Sequence, residues 1–258
     1  MLLGHDDKTA LFTRLVREGT LGHAYLFFGD AGVGKRSFAE YLGNLLERGV
    51  SSSEAPLIDT QVFSRATGER SLGIETVRLV RHFLGETPFA SSRRFAIIDD
   101  GDTMTAEAQS AFLKIVEEPG SYGAIIFIAR DAESLFPALR SRLTPIYFRR
   151  LSRKSVAHAL QETYRVPPPE AEHIAERSFG SMGRALTFLK EKRKEEKEAR
   201  VNLAPELDEE IISLYLKDPI QKSRIIISLL GRVEAVKRYN LNEPLQRKAA
   251  QYAYHDSR

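Results

Sequence analysis

The chain has 258 residues, 42% hydrophobic and 28% charged, with a formal net charge of +3, so two or three compact units with real cores are expected and disordered or fibrous classes are excluded. No apolar run approaches the roughly 20 residues that cross a bilayer, and the opening Met1 to Lys8 lacks the basic and apolar blocks of a signal peptide, which predicts a cytoplasmic protein without membrane attachment. Cysteine is absent and the six histidines are scattered, which excludes disulfides and thiolate zinc sites and leaves carboxylates or phosphates to hold any metal.

In chain order, the first half alternates short apolar runs with helical periods, the pattern of a parallel sheet covered on both faces by crossover helices. Strands are predicted at Ala24 to Phe28, Ile58 to Phe63, Phe95 to Ile98, Ala124 to Ile128 and Pro145 to Phe148. Phe38, Leu42, Leu45 and Leu46 mark one helix. Ala108, Ala111, Phe112, Ile115 and Val116 mark another, at the i, i+3, i+4, i+7, i+8 spacing of a single buried face. After Phe148 the strand signals stop, and a change of domain is predicted near Arg149 and Arg150. Helices follow near Ser155 to Tyr164, Pro168 to Ser178 and Met182 to Lys192; the prolines of the middle one suit a first helical turn. The mixed-charge run Lys190 to Arg200 reads as a solvated helix or linker. From Pro205 onward apolar residues such as Leu207, Ile211, Leu214, Ile226 and Val233 keep helical spacing and predict a last set of helices.

The segment Gly29-Asp30-Ala31-Gly32-Val33-Gly34-Lys35 follows a predicted strand and opens a predicted helix. In that context a glycine-rich turn aims backbone N–H groups at a phosphate, and Lys35 adds a point charge near the outer phosphates. An active phosphate loop has Ser or Thr directly after the lysine, where the hydroxyl ligates magnesium. Here the residue is Arg36. Ser37 sits about 100° further round the helix and cannot simply replace it, and the guanidinium opposes a divalent ion. Two readings stay open: ATP or ADP bound without efficient hydrolysis, or a loop retained as a structural turn.

A second acidic element lies at Asp99 and Asp100, where an apolar strand delivers adjacent carboxylates at its carboxyl end, the ligand-binding end of such sheets. Asp99 is placed to hold magnesium through water. Asp100 stands where a vigorous ATPase has Glu and is one methylene shorter. Taken alone, paired Asp after a strand is more often a turn or helix cap.

Four segments together resemble bacterial clamp-loader subunits of the AAA+ class, in particular the delta prime subunit family of DNA polymerase III. They are HAYLFFGDAGVGKRS at 23–37, AIIDDGDTMTAEAQSAFLKIVEEPG at 96–120, LFPALRSRL at 135–143 and GSMGRAL at 180–186. RYNLNEPLQRKAA at 238–250 also looks like the end of a helical collar by which such subunits join into a ring. The resemblance implies an α/β AAA+ phosphate-loop domain with a parallel five-stranded sheet over 1–149, a small helical lid over 150–200 and a helical collar over 201–258. It implies further that Ser141-Arg142-Leu143 stands where the family has Ser-Arg-Cys, making Arg142 a candidate arginine finger for a neighbour's ATP; a surface arginine capping a helix end is the alternative. Arg184 matches the family's lid arginine, with a surface salt bridge as its alternative. The polar sensor expected at the end of the fourth strand is replaced by Ala129-Arg130-Asp131. The four-cysteine zinc module of many relatives is missing, with the short stretch 47–57 in its place.

The implied partners are gamma/tau-like and delta-like loader subunits, the sliding clamp and, through the assembly, primed DNA. The implied role is a stator with weak or absent ATP hydrolysis of its own inside a DNA polymerase III assembly. A gamma/tau-like motor is the alternative, opposed by Arg36, Asp100 and Ala129; an unrelated phosphate-loop kinase or regulatory ATPase is more distant. The basic residues Arg149, Arg150, Arg153 and Lys154 read as solvated surface, a domain contact or a phosphate-backbone contact.

Overall fold

The five predicted strands build a single sheet. The computed structural model describes residues 4–50, 56–65 and 68–195. Its strands are β1 (Ala24–Phe28), β2 (Thr60–Phe63), β3 (Arg94–Ile98), β4 (Gly123–Ala129) and β5 (Thr144–Tyr147). They lie in the order β2-β3-β4-β1-β5, and every pairing is parallel. β1 lies between β4 and the edge strand β5, so the chain reverses its winding there and opens a crevice at the carboxyl ends of the strands. Pro145, which donates no ladder hydrogen bond, sits in the edge strand β5 opposite Leu26, where proline is tolerated. β2 is shorter than predicted, and Ile58 lies outside it and half exposed.

Alternation along the strands sorts side chains into two cores. In β4, all seven residues are buried. Ile125, Phe127 and Ala129 join Val77, Val80, Phe112 and Ile115 on one face, while Ala124, Ile126 and Ile128 join Phe12, Phe38 and Leu42 on the other. The first face is covered by α3 (Ile74–Gly85) and α4 (Ala106–Glu117), the second by α1 (Asp6–Arg17) and α2 (Lys35–Arg48). Burial on both faces explains why the strands read as continuous apolar runs. Phe12 meets Tyr25, Phe27 and Phe38 at ring centroid distances of 5.2, 5.8 and 5.5 Å in tilted and edge-to-face geometry, which favours aromatic packing beyond its area burial.

The sequence reading passes over α1 and α3, although Val77, Val80 and Leu84 keep the i, i+3, i+7 spacing that marks a buried stripe. Two short 3-10 turns, Gly101–Thr103 and Ala132–Ser134, and the four-residue α5 (Pro137–Arg140) complete the sheet region. α6 (Arg153–Tyr164) starts with Ser152 accepting from Ser155 N–H, and α7 (Pro168–Ser178) begins on prolines.

By contact density the chain forms two units, 1–187 and 188–258. Of the second, only 188–195 are described, and they are helical. The helices predicted beyond Pro205 and the segment 238–250 lie outside the described residues. Among the described residues no helix is long and apolar enough to cross a membrane.

Candidate functional site

At the carboxyl end of β1 the chain turns through Gly29, Gly32 and Gly34, whose φ angles are 135°, 74° and 101°. At Gly29 a Cβ would stand 2.3 Å from the Phe148 carbonyl oxygen, so only glycine fits the bend. Every carbonyl from Gly29 to Gly34 has a partner. Lys35 Nζ donates to Gly29 O at 2.6 Å and to Asp30 O at 2.7 Å. Ser181 Oγ donates to Ala31 O at 3.0 Å and Gly183 N to Gly32 O at 2.9 Å. His5 Nε2 lies 2.8 Å from Val33 O, and Phe38 N donates to Gly34 O at 2.9 Å. With the carbonyls tied back and no side chain capping α2, the loop's N–H groups and the helix N-terminus form a concavity suited to an anion.

A cavity of about 380 Å³ opens beside this loop, lined by residues 31–37, Asp99, Asp100, Asp102 and Arg130, with His5, Leu151, Tyr164, Met182, Gly183 and Leu186. The lid segment comes close enough that a Cβ on Gly183 would be 2.8 Å from Gly32 Cα. Because a carbonyl only accepts, Val33 fixes His5 as the Nε2–H tautomer. Burial, opposed by that bond, pushes its imidazole below the ordinary value. Lys35 is buried, and desolvation lowers its ammonium while Asp102, Asp99 and Asp30 pull the other way.

Both acidic residues are held by arginines. Asp99 Oδ2 takes Arg36 Nη1 at 3.2 Å, and its Oδ1 takes the Asp100 N–H at 3.0 Å. Arg36 also donates from Nε to Glu40 Oε1 at 2.9 Å, and this bond, with Glu40's charge, raises the guanidinium further. Asp100 occupies a left-handed conformation, φ 58°, of the kind Asp tolerates. Its Oδ2 accepts from Arg65 Nε and Nη2, both at 3.2 Å. Arg65 follows β2 and carried no sequence signal, because only the sheet brings β2 beside β3.

The fold class implies magnesium between loop and carboxylates, and the residues here do not suit it. The hydroxyl position is Arg36, and both Asp99 oxygens are engaged. Unit charges about 4 Å apart interact by roughly 4 kcal/mol at an effective dielectric of about 20, and a divalent ion facing Arg36 would double that repulsion. Ser37 is exposed and lines the cavity without a hydrogen bond among the described residues.

The remaining predicted residues are spread more widely. Asp30 pairs with Arg150 at 2.6 Å, and this bond, with the charges of Arg150, Lys35 and Arg184, holds its carboxyl below the usual range. Arg150 is thus a contact to the loop, while Arg153 pairs with Glu172 at 3.1 Å and Glu176 at 3.4 Å. Arg184 is exposed, and its own segment lines the cavity through Met182, Gly183 and Leu186. Arg130 stands 3.8 Å from Asp102, where the polar sensor was expected. Arg142 lies outside the cavity, just past α5. Its Nε and Nη2 reach Glu117 Oε1 at 2.7 and 2.6 Å, and Nη1 donates to Ala138 O at 2.7 Å.

A family model described as DNA polymerase III, delta subunit, matches residues 4–152, more than half of the chain. The chain belongs to that family. Around this delta-family chain the similarities are of the clamp-loader and replication-factor-C kind. DNA polymerase III subunit gamma/tau of Mycobacterium tuberculosis (H37Rv) is 29% identical over 163 residues, 58% of this chain and 28% of that protein. Replication factor C subunit 3 of Blastobotrys adeninivorans is 29% identical over 193 residues, 72% of this chain and 54% of that protein. DNA polymerase III subunit delta' of Pseudomonas aeruginosa is 26% identical over 149 residues, 52% of this chain and 45% of that protein. The delta-family chain thus spans between 28% and 54% of the length of these relatives. Among solved structures, Aeropyrum pernix Orc1 in complex with DNA aligns with TM-score 0.56 at 16% identity, over 97% of this chain and 82% of that one. The Thermotoga maritima RuvB branch-migration motor aligns with TM-score 0.54 at 16% identity, over 74% and 62%. At that identity the likeness establishes the AAA+ fold alone.

Proposed function

We propose that this chain is a delta-prime-like stator of a sliding-clamp loader: it joins gamma/tau-like and delta-like subunits, helps load the clamp on primed DNA, and offers Arg142 to a neighbour's ATP. Its own ATP hydrolysis is weak or absent. The observation that carries this reading is the pairing of both site carboxylates with guanidinium groups, Asp99 with Arg36 and Asp100 with Arg65. A group already neutralised by an arginine is a poor metal ligand and a poor water-orienting base. Arg142 is 41% exposed at its side chain, and a guanidinium on an outer surface can reach a partner. In this reading residues 1–149 form the nucleotide-binding-like domain, 150–200 the lid and 201–258 the oligomerising collar. Gly29 to Ser37 hold the nucleotide's phosphates, with Arg184 beside them.

A gamma/tau-like motor is the second reading, favoured by the intact loop and Lys35. The two separate in a reconstituted loader. Arg142→Ala in this chain is expected to slow hydrolysis at the one adjoining site by about 10³-fold, within the range of arginine fingers, with assembly intact. In steady state that appears as the loss of one site's share of turnover. Unchanged single-turnover kinetics at that site remove the finger. Magnesium-dependent ATP turnover by the isolated chain, abolished by Lys35→Ala, replaces the stator with the motor.

A further inference from the structure

We infer that the loop pocket takes a nucleoside di- or triphosphate without a divalent cation, the Arg36 guanidinium standing in the metal's seat. The inference deepens the stator reading and rests on it, since a site that binds without metal is one that does not turn over.

Three observations converge. First, the anion cradle is built: three glycines with positive φ turn the loop, and its carbonyls are all paired. The N–H groups are therefore those free to face phosphate oxygens. Second, the carboxylates that would ligate magnesium each already carry a guanidinium partner. Asp99 uses one oxygen on Arg36 and the other on a backbone N–H, and Asp100 accepts twice from Arg65. Magnesium asks for near-octahedral oxygen donors and sheds its water reluctantly, and carboxylates already paired with guanidinium groups offer it little in exchange. Third, Arg36 is anchored in a way that leaves donors over. Nε and Nη1 are spent on Glu40 and Asp99, and Nη2 makes no hydrogen bond among the described residues. The planar fork of arginine suits phosphate oxygens. Lys35 and Arg36 together bring two positive charges to the loop, where an ordinary phosphate loop relies on one lysine and a metal ion. Glu40 and Asp99 orient the guanidinium.

Titration calorimetry of the full chain with ATP and with ADP, in EDTA and then in excess magnesium, tests this. Binding is expected in EDTA. Excess magnesium should leave it within twofold or weaken it, because the metal withdraws free nucleotide from solution. Arg36→Thr restores the hydroxyl position, and it should lose about tenfold in EDTA, one unit of about 1.4 kcal/mol, and regain affinity with magnesium. Arg36→Lys keeps the charge without the fork and should fall between the two. Manganese supplies a second readout: with ADP and wild-type chain its electron paramagnetic resonance spectrum should remain that of manganese–ADP in solution, and with Arg36→Thr it should broaden as the ion is immobilised.

A tenfold or greater tightening of the wild type by magnesium overturns the inference, as does Arg36→Thr behaving like the wild type. Absence of binding in both buffers overturns it too, while leaving Arg142's donation standing, since that is read at the neighbour's site. Loss of the finger in the reconstituted loader, conversely, leaves the EDTA titration as it was.

Discussion

Two arginine–carboxylate pairs in this molecule differ in where they stand and in how far the carboxylate is buried. Arg36, 53% exposed, meets at the loop cavity a carboxylate, Asp99, that is only 20% exposed, and Arg142, 41% exposed, meets on an outer surface a carboxylate, Glu117, that is 48% exposed. In the cavity the pair closes a seat that the fold class reserves for metal. On the surface it parks a side chain that water already competes for, and exposed pairs of that kind contribute only about 0–1 kcal/mol. Under the proposed stator reading, the contrast means that an ATPase scaffold is separable from its chemistry. The backbone loop is present as glycines and a lysine, and in that reading single side chains, Arg36 and Arg142, decide whether the pocket or the outer surface does the work.

The largest effect that would break the comparison is kinetic. Arg142→Ala should remove about 10³-fold at the adjoining site, equivalent to about 4 kcal/mol, and change the chain's own stability by less than about 1 kcal/mol in urea melts. A large stability loss with unchanged partner kinetics would make Arg142 a structural cap.

Next comes the backbone of the loop. Gly29→Ala forces a Cβ against the Phe148 carbonyl at a φ of 135°, and a loss of about 3 kcal/mol is expected, read as a lower urea midpoint. A neutral result would show that the loop relaxes freely and that its shape is not what keeps the pocket.

The third test isolates the scaffold from both sites. Asp59 is fully buried, and burial drives its carboxyl up; the N–H groups of Phe89, Ala90 and Ser91, with Arg94, outweigh that and hold it below its ordinary value. A carboxyl lowered in the folded state stabilises fully above its unfolded value near 3.9, and that contribution fades as pH falls through the lower folded value. Wild-type stability should therefore drop steeply below about pH 4, and Asp59→Asn should lose about 2 kcal/mol at neutral pH and flatten the acid limb. Equal acid limbs for the two proteins would assign the acid lability elsewhere.

The smallest effect sharpens the surface pair. Glu117→Gln should cost less than about 1 kcal/mol of stability while altering, by a few fold, how the assembled loader's turnover responds to salt. If stability falls well beyond that, Glu117 is packing rather than parking Arg142.

Much of the fold was legible in the sequence because buried parallel strands announce themselves as apolar runs, and four of the five strands appear within a residue of their predicted bounds. α1 and α3 lie outside the predicted elements although α3 carries a buried stripe at Val77, Val80 and Leu84, while Ile58 is apolar yet stays outside β2. Within the site, Gly29 to Lys35, Arg36 and Asp99 were readable because one local turn and one strand end define them. Arg65, His5, Arg150, Ser181 and Gly183 were not, since each lies far along the chain from the loop carbonyl or carboxylate it meets.

By itself the sequence determined the alternation of strands and helices, the glycine turn and the misfit of Arg36 after Lys35, because those follow from short-range periodicity and neighbouring residue types. Only the tertiary structure decided which carboxylates are already neutralised and which carbonyls are tied back. Parallel pairing sets β2 beside β3 and β1 beside β4, and a hydrogen bond of about 3 Å is decided by that juxtaposition rather than by separation along the chain.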